Sequence, residues 1–166
     1  MLKSLLILTL VCVLSSISHA RSDDNEQPIQ ISANSAELND KSGVSIYRGD
    51  VVMIQGTTIL KGDKITVHTD NNAVSRIIAL GDLATYQETT DDGDIVYAES
   101  EEMIHNANEN KIELFRQAKI TQLGNVIRSE YIKYLTDQGL IDTGTKKDRV
   151  NITIIPQSKL FNDDAQ

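Results

Sequence analysis

The feature that most constrains this chain is an alternation of apolar and polar residues with a period of two, running from Pro28 almost to the end. Ile29-Gln30-Ile31-Ser32 and Val150-Asn151-Ile152-Thr153-Ile154 show it most plainly. Between them lie the short apolar or alternating runs Val51–Ile54, Ile65–Val67, Val74–Leu80, Ile112–Phe115 and Val126-Ile127. Successive strand residues point to opposite faces, so runs of this kind, rich in Ile, Val, Thr and Tyr, are strands with one buried face. Turn-forming clusters punctuate them: Asn39-Asp40-Lys41-Ser42-Gly43, Asp70-Asn71-Asn72, Asp91-Asp92-Gly93 and Asp137-Gln138-Gly139. Ser100 to Ala107 is the one stretch with a helical look, and its strand-like surroundings argue against a helix. The expectation is an all-β chain.

The alternation is also repeated at long range. Ala33-Asn34-Ser35-Ala36-Glu37-Leu38 aligns with Ala98-Glu99-Ser100-Glu101-Glu102-Met103, and Tyr47-Arg48 with Phe115-Arg116. Leu60-Lys61-Gly62-Asp63-Lys64-Ile65 aligns with Ile127-Arg128-Ser129-Glu130-Tyr131-Ile132, and both copies close on Thr-Asp, at Thr69-Asp70 and Thr136-Asp137. Each copy is long enough to be a group of strands. Stacked along one axis, two such units bury a continuous apolar seam that neither buries alone. A stack that does not close on itself leaves an unpaired backbone edge at each end. The predicted edges are Pro28 to Ala33, whose proline sits at the strand start where a missing N–H costs little, and Val150 to Ile154, followed by Pro156.

The first twenty residues read as a leader instead of part of this pattern. Lys3 supplies a positive start, Leu5 to Leu14 an apolar stretch shorter than the ~20 residues of a bilayer span, and Ser18-His19-Ala20 a small-residue cleavage motif. Cleavage is expected between Ala20 and Arg21, with an uncleaved anchor as the alternative. Cys12 follows Val11, too bulky for a lipoprotein site, and it leaves with the leader, so no disulfide is expected in the remainder. Removing Lys3 also leaves the mature chain one unit more acidic than the formal −8 of the full sequence. A chain of that sign lacks the footprint of a nucleic-acid binder or of a protein drawn to anionic membranes.

Residues for catalysis are not brought together by any motif. His68 and His105 fall in different repeats, each without a second ligand at i+2 or i+4, and read as polar strand-face residues. No Gly-x-Ser-x-Gly elbow or phosphate-cradling glycine loop is present. Asp91-Asp92-Gly93-Asp94 lacks the spaced acids and terminal Glu of a calcium loop and reads as a hairpin turn. No catalytic residue, metal or cofactor is expected, and the chain is read as a non-enzyme.

Gln27-Pro28-Ile29-Gln30-Ile31, the Tyr47-x-Gly49-x-Val51 step, and Gln55-Gly56 followed by Leu60-x-x-Asp63-Lys64-Ile65 resemble the OstA-like family of periplasmic lipopolysaccharide-transport proteins (LptA-like). Gly124-Asn125-x-Ile127 and Arg149-Val150 to Pro156-Gln157 extend the resemblance over roughly 27–157, nearly the whole mature chain. Two departures stand out: Gln117 occupies a place where a glycine is usual, and Leu83 one where a proline is expected.

The resemblance implies a twisted open β-jellyroll of two facing antiparallel sheets, built from the two repeats, with an apolar groove between them. It divides the chain into a signal peptide (1–20), a flexible N-terminus (21–27), the β-jellyroll (28–157) and a disordered tail (158–166). It implies a periplasmic carrier that shields the acyl chains of lipopolysaccharide (lipid A). Such carriers join head to tail, first strand against last, between an inner-membrane LptC-like protein and the jellyroll of an outer-membrane LptD-like protein. Ile29 and Ile31 match the family's lipid-contacting first strand. Leu38, Val51, Met53, Ile65, Val67, Ile112, Leu114, Ile132, Val150, Ile152 and Ile154 are their inferred companions in the groove. The edges, Pro28-Ile29-Gln30-Ile31-Ser32-Ala33 and Val150-Asn151-Ile152-Thr153-Ile154, are the implied partner surfaces. The alternatives are a membrane-anchored LptC-like protein of the same fold, and a generic periplasmic lipid-binding protein in which the same residues make an ordinary closed core. Physical chemistry favours a trough: each methylene of a lipid costs about 0.8 kcal/mol to expose to water.

Overall fold

The computed structural model of the chain describes residues 24, 27–71, 73–145 and 148–156. The leader, the cleavage point between Ala20 and Arg21, and the tail 158–166 lie outside them. Ten strands follow one another as an antiparallel meander: β1 (Gln30–Ser32), β2 (Ser35–Asn39), β3 (Val44–Gln55), β4 (Thr58–Asp70), β5 (Ala73–Thr89), β6 (Ile95–Asn106), β7 (Lys111–Gln122), β8 (Asn125–Leu135), β9 (Leu140–Thr143) and β10 (Asn151–Thr153). Ser100 to Asn106 is strand, and only Ala107–Glu109 turns as a short 3-10 helix before the next strand begins. Asp91 to Asp94 forms the β5–β6 hairpin turn, with Thr90 N–H donating to Asp94 O at 2.8 Å and Gly93 N–H to Thr90 O at 2.9 Å.

The six long strands share one irregularity. Register slips between Arg48 and Val51, Lys61 and Lys64, Leu80 and Ala84, Glu99 and Glu102, and Phe115 and Ala118, so the bulges line up across the sheet. A bulge bends its strand and sharpens the local twist. Aligned, the bulges fold the whole sheet along one line, and every long strand passes from one layer into the other. One layer is ordered β2-β3-β4-β5-β6-β7-β8-β9, using the halves of the long strands that hold Ile65 and Leu114. The other is ordered β1-β3-β4-β5-β6-β7-β8-β10, using the halves that hold Met53 and Ile120. The terminal strands β1 and β2 together occupy the place that β6 fills unbroken in the second repeat, with the break at Ala33-Asn34. Strands β9 and β10 divide the last place in the same way.

Two repeats make the same corner by different means. In the first, Gly49 adopts φ +81°, and a Cβ there would meet the Asn34 amide nitrogen at 2.5 Å, so only glycine fits. In the second, Arg116 and Gln117 adopt φ +61° and +50°, a region L-residues visit at a cost. Side chains hold them there. Arg116 donates to Glu101 and to Glu102, both at 2.9 Å, and Gln117 Nε2 donates to Glu101 Oε1 at 2.7 Å. The Gln117 departure thus falls on a clamped corner, and Leu83 on the corner of β5, where the Asp82–Leu83 peptide is cis.

One face of both layers is buried in a single hydrophobic cluster. The bent sheet is therefore closed over its own inner face, with corners joining the layers along one side only. Opposite the corners, the layers meet at a seam that no chain crosses within a long strand.

Candidate functional site

Cross-strand partners share a face, so the register traces continuous rows through the interior. In the first layer one row runs Ala36–Tyr47–Ile65–Ala79–Met103–Leu114–Ile132–Thr143. Nearer the seam a second runs Leu38–Ser45–Val67–Ile77–His105–Ile112–Tyr134–Ile141. In the other layer a row runs Ile31–Met53–Leu60–Tyr86–Ala98–Ile120–Ile127–Ile152. These rows cross the sheet from one open end to the other, perpendicular to the strands. They are mainly aliphatic, with Tyr47, Ser45, His105, Tyr86, Tyr134 and Thr143 as the exceptions.

The residues inferred from sequence fall at two kinds of place. Val51, Met53, Ile65, Val67, Ile112, Leu114 and Ile132 are fully buried in the middle of the rows. Ile29 and Ile31 are half-buried and pack against that core. Leu38 (64 % exposed), Ile152 (57 %) and Ile154 (74 %), with Val150, are exposed at the ends. For Leu38 and Ile152 the exposure comes from position, since each belongs to an inward row but has a strand on one side only, while Val150 and Ile154 flank β10. Of the edge residues, Pro28, Gln30, Ser32, Asn151 and Thr153 are exposed and Ala33 is half-buried. Strand β1 pairs only with β3, β10 only with β8, and the same is true of β2 and β9. Each end of the molecule therefore presents two unpaired edges among the described residues, where the sequence pointed to one.

The groove inferred from sequence leaves out eleven of the eighteen buried hydrophobic residues among those described. Leu60, Ile77, Ala79, Ala84, Tyr86, Val96, Ala98, Met103, Ala118, Ile120 and Tyr134 are all buried. Alanines carry little hydropathy, so the alternation Ala84-x-Tyr86 and Val96-x-Ala98 is faint, although its period is the same.

Along the seam the lining turns polar. A cavity of about 530 Å³ opens there, lined from one layer by Thr58, Tyr86, Glu88 and Thr89 to Asp92 and from the other by His105, Asn110, Tyr134 and Thr136 to Gly139. Tyr86 Oη donates to Glu88 Oε2 at 2.6 Å. Glu88 Oε1 and Tyr134 Oη are both buried, and the Tyr134 hydroxyl interacts with the Glu88 carboxylate. Burial raises the Glu88 carboxyl above the usual range. It raises the Tyr134 phenol too, with the Glu88 charge adding to the effect. His105 faces this cavity from the inner row and is held neutral by burial, its pKa lowered to about 4. It is thus an interior group, which its reading as a bland strand-face residue did not capture. Among the described residues no group of three or more His, Cys, Asp or Glu is arranged to hold a metal ion. No helix among them is long and apolar enough to cross a membrane.

An open, bent β-jellyroll with aliphatic rows running from one unpaired end to the other is the architecture of a lipid-handling module. Residues 30–140 match the family described as LptA/(LptD N-terminal domain) LPS transport protein, and the chain belongs to that family. It is 36 % identical to the lipopolysaccharide export system protein LptH of Pseudomonas aeruginosa, over 87 % of this chain and 89 % of that one. It is 26 % identical to the LptA of Haemophilus influenzae, over 92 % and 91 % of the two chains. The crystal structure of P. aeruginosa LptH, the LptA homologous periplasmic component of that organism's conserved lipopolysaccharide transport device, superposes with a TM-score of 0.76 at 35 % identity. That match covers 81 % of this chain and 99 % of LptH.

Proposed function

We propose that this chain is a non-enzymatic periplasmic carrier of lipopolysaccharide, exported by a leader cleaved after Ala20. Protomers join end to end, β1 and β2 of one against β9 and β10 of the next. The chain so formed meets a membrane-anchored LptC-like protein at one end and the jellyroll of an LptD-like protein at the other. The observation that carries this reading is the continuity of the rows. Two of the rows end on aliphatics at both ends, Leu38 and Ile141 in one and Ile31 and Ile152 in the other, so a second copy in register would join them apolar to apolar. Lipid acyl chains lie along these rows, between the layers. In the lipid-free state the rows pack against each other, and the layers part along the seam, where no corner holds them, to admit the chains.

The energetics suit a passage. Every buried methylene of a lipid gains about 0.8 kcal/mol, while Ile, Leu, Val and Met offer no directional contact that would hold it at one place. The acidity of the chain leaves anionic lipid phosphates in solvent. No step of this function breaks or forms a covalent bond.

Photocrosslinking in cells tests the reading. A photoreactive residue at Ile31, on the inner row, is expected to capture lipopolysaccharide, while one at the exposed Gln30 is not, because neighbouring side chains face opposite ways. Equal capture at the two positions overturns the assignment of the inner face to lipid.

A further inference from the structure

Each end of the first layer carries one carboxylate on its outer face. The outer row begins Glu37–Ile46–Thr66 on β2, β3 and β4 and ends Glu113–Lys133–Asp142 on β7, β8 and β9. Glu37 is tied back to Arg48 at 3.5 Å and Asp142 to Lys133 at 2.7 Å, and both carboxylates stay largely exposed. Every pairing in this layer is antiparallel, and it holds eight strands, so β2 and β9 run in opposite directions. A second copy in the same orientation therefore brings its β2 antiparallel to β9. The register of such a joint is constrained, because a slip of one residue turns the inward rows outward. With the rows level, Leu140, Ile141, Asp142 and Thr143 face Asn39, Leu38, Glu37 and Ala36 of the next copy, and all of β9 is paired. The same level in the other layer sets Asn151, Ile152 and Thr153 against Ser32, Ile31 and Gln30, and all of β10 is paired. A slip of two residues leaves β10 a single partner in β1.

We infer that Glu37 and Asp142 decide which strand each end accepts. A second copy sets these two carboxylates directly opposite each other, and a strand with a lysine, an arginine or a neutral residue at that place is held more tightly. Side chains directly opposed in an antiparallel pair have Cβ atoms about 4.5–5.5 Å apart, and like charges there destabilise the pair. No other strand position brings charge to the joint. Asn39 faces Leu140 on the outside of one layer, and Ser32 faces Asn151 and Gln30 faces Thr153 on the outside of the other. The inward pairs, Leu38 with Ile141 and Ile31 with Ile152, drive joining, and the one charged pair opposes it. Arg48 and Lys133 moderate the repulsion without removing it, since each lies a strand farther from the opposing carboxylate than from its own. The inference rests on the end-to-end joining proposed above and names the positions that set its selectivity.

Sedimentation velocity over a concentration series tests this with four proteins: the unaltered chain, Glu37→Lys, Asp142→Asn and the double variant. Glu37→Lys turns the opposed pair attractive and should tighten joining about fivefold. Asp142→Asn should then act with opposite signs in the two backgrounds. In the unaltered chain it removes a repulsion and tightens joining about threefold, while in the Glu37→Lys background it removes an attraction and loosens joining about threefold. Neither simpler explanation reverses sign. A less acidic chain would join more tightly in both backgrounds, and a damaged β9 would join less tightly in both. Asp63→Asn, which removes an equal charge from an exposed position on β4, should shift both backgrounds alike and by less than about twofold. Should Glu37→Lys fail to fold, Glu37→Gln serves, and Asp142→Asn should then change joining less than about twofold in that background. An effect of Asp142→Asn with the same sign and size in both backgrounds, while joining persists, overturns this inference alone. A chain that never grows with concentration overturns end-to-end joining and this inference with it.

Discussion

The middle of the interior and its two ends are built from the same side chains on the same face, yet they differ in almost every physical respect. Leu114 is fully buried in β7 while Leu38, in β2 and equally inward, is mostly exposed. The difference is the number of neighbouring strands. In the middle each residue is covered from two sides within its layer and from the facing layer across the core. At the ends one of those covers is missing, and an aliphatic is left in water. An exposed large apolar residue on a terminal strand thus speaks of what continues the sheet, not of a failed pattern.

The largest effect that sharpens this contrast concerns assembly. Ending the chain at Gly144 removes β10 with Val150, Ile152 and Ile154, and hence one of the two ends of layer two. End-to-end contacts are heterologous and do not close, so the intact protein should grow in sedimentation coefficient steadily with concentration. The truncated protein should stop growing while keeping a cooperative unfolding transition. A sharp dimer indifferent to concentration in the intact chain would break the comparison, since it would mean that one end pairs with itself.

Next in size is the middle. Leu114→Ala should cost about 2–5 kcal/mol, the usual loss for a buried leucine left as a cavity, read from denaturant unfolding. A cost under about 1 kcal/mol would mean that the layers are loosely apposed in the lipid-free state and that the middle resembles the ends.

How much of this was visible beforehand depends on the signal that each part writes into the sequence. The strands were legible because Ile, Val and Leu alternate against charged residues, and the repeat was legible in pairs such as Leu60–Ile65 with Ile127–Ile132. The bend was not. It depends on aligned bulges at Gly49, Gly62, Gly81, Ser100, Arg116 and Ser129, which are glycine in three strands, serine in two and arginine in one, the last held by a clamp from Glu101 and Glu102. Without the bend, one long strand per repeat position could not be told from two short ones. β5 accordingly runs 17 residues, where the pattern outlined only Val74 to Leu80. The seam cavity was hidden for a related reason. Glu88, His105 and Tyr134 come from three strands and converge only after the sheet folds, so no spacing in the sequence announces them.

The middle also differs from the ends in holding a histidine that burial keeps neutral. The pKa of His105 is lowered to about 4 in the folded protein by burial, against about 6.5 in an unfolded chain. Between those values the unfolded state binds more protons, so stability is full above pH ~6.5 and falls as pH drops toward 4. Glu88 acts with the opposite sign, since its raised pKa favours folding at lower pH. Comparing the protein with His105→Gln isolates the histidine: the variant should lose less stability across this window, by about 1–2 kcal/mol after allowance for partial exposure. Identical slopes would place the ring in contact with water, as the ends are.

The smallest expected effect is the most discriminating. Ile152 is 57 % exposed on β10, so Ile152→Ala should change the stability of dilute protein by no more than about 0.5 kcal/mol, as surface substitutions do. The same substitution should matter more at high concentration if Ile152 is the point where one interior row passes into the next copy. There the side chain becomes a middle residue, covered on both sides, and its removal weakens the association that itself stabilises the fold by mass action. The unfolding midpoint of the unaltered protein should therefore rise with concentration and that of Ile152→Ala rise less, with the two curves meeting at the dilute end. Leu38→Ala, at the opposite end of its layer, should behave alike. A large loss already present in dilute protein would show that Ile152 is packed within its own protomer. Parallel curves would show that it stays exposed in the assembly, and the rows would then stop at the edge of each molecule.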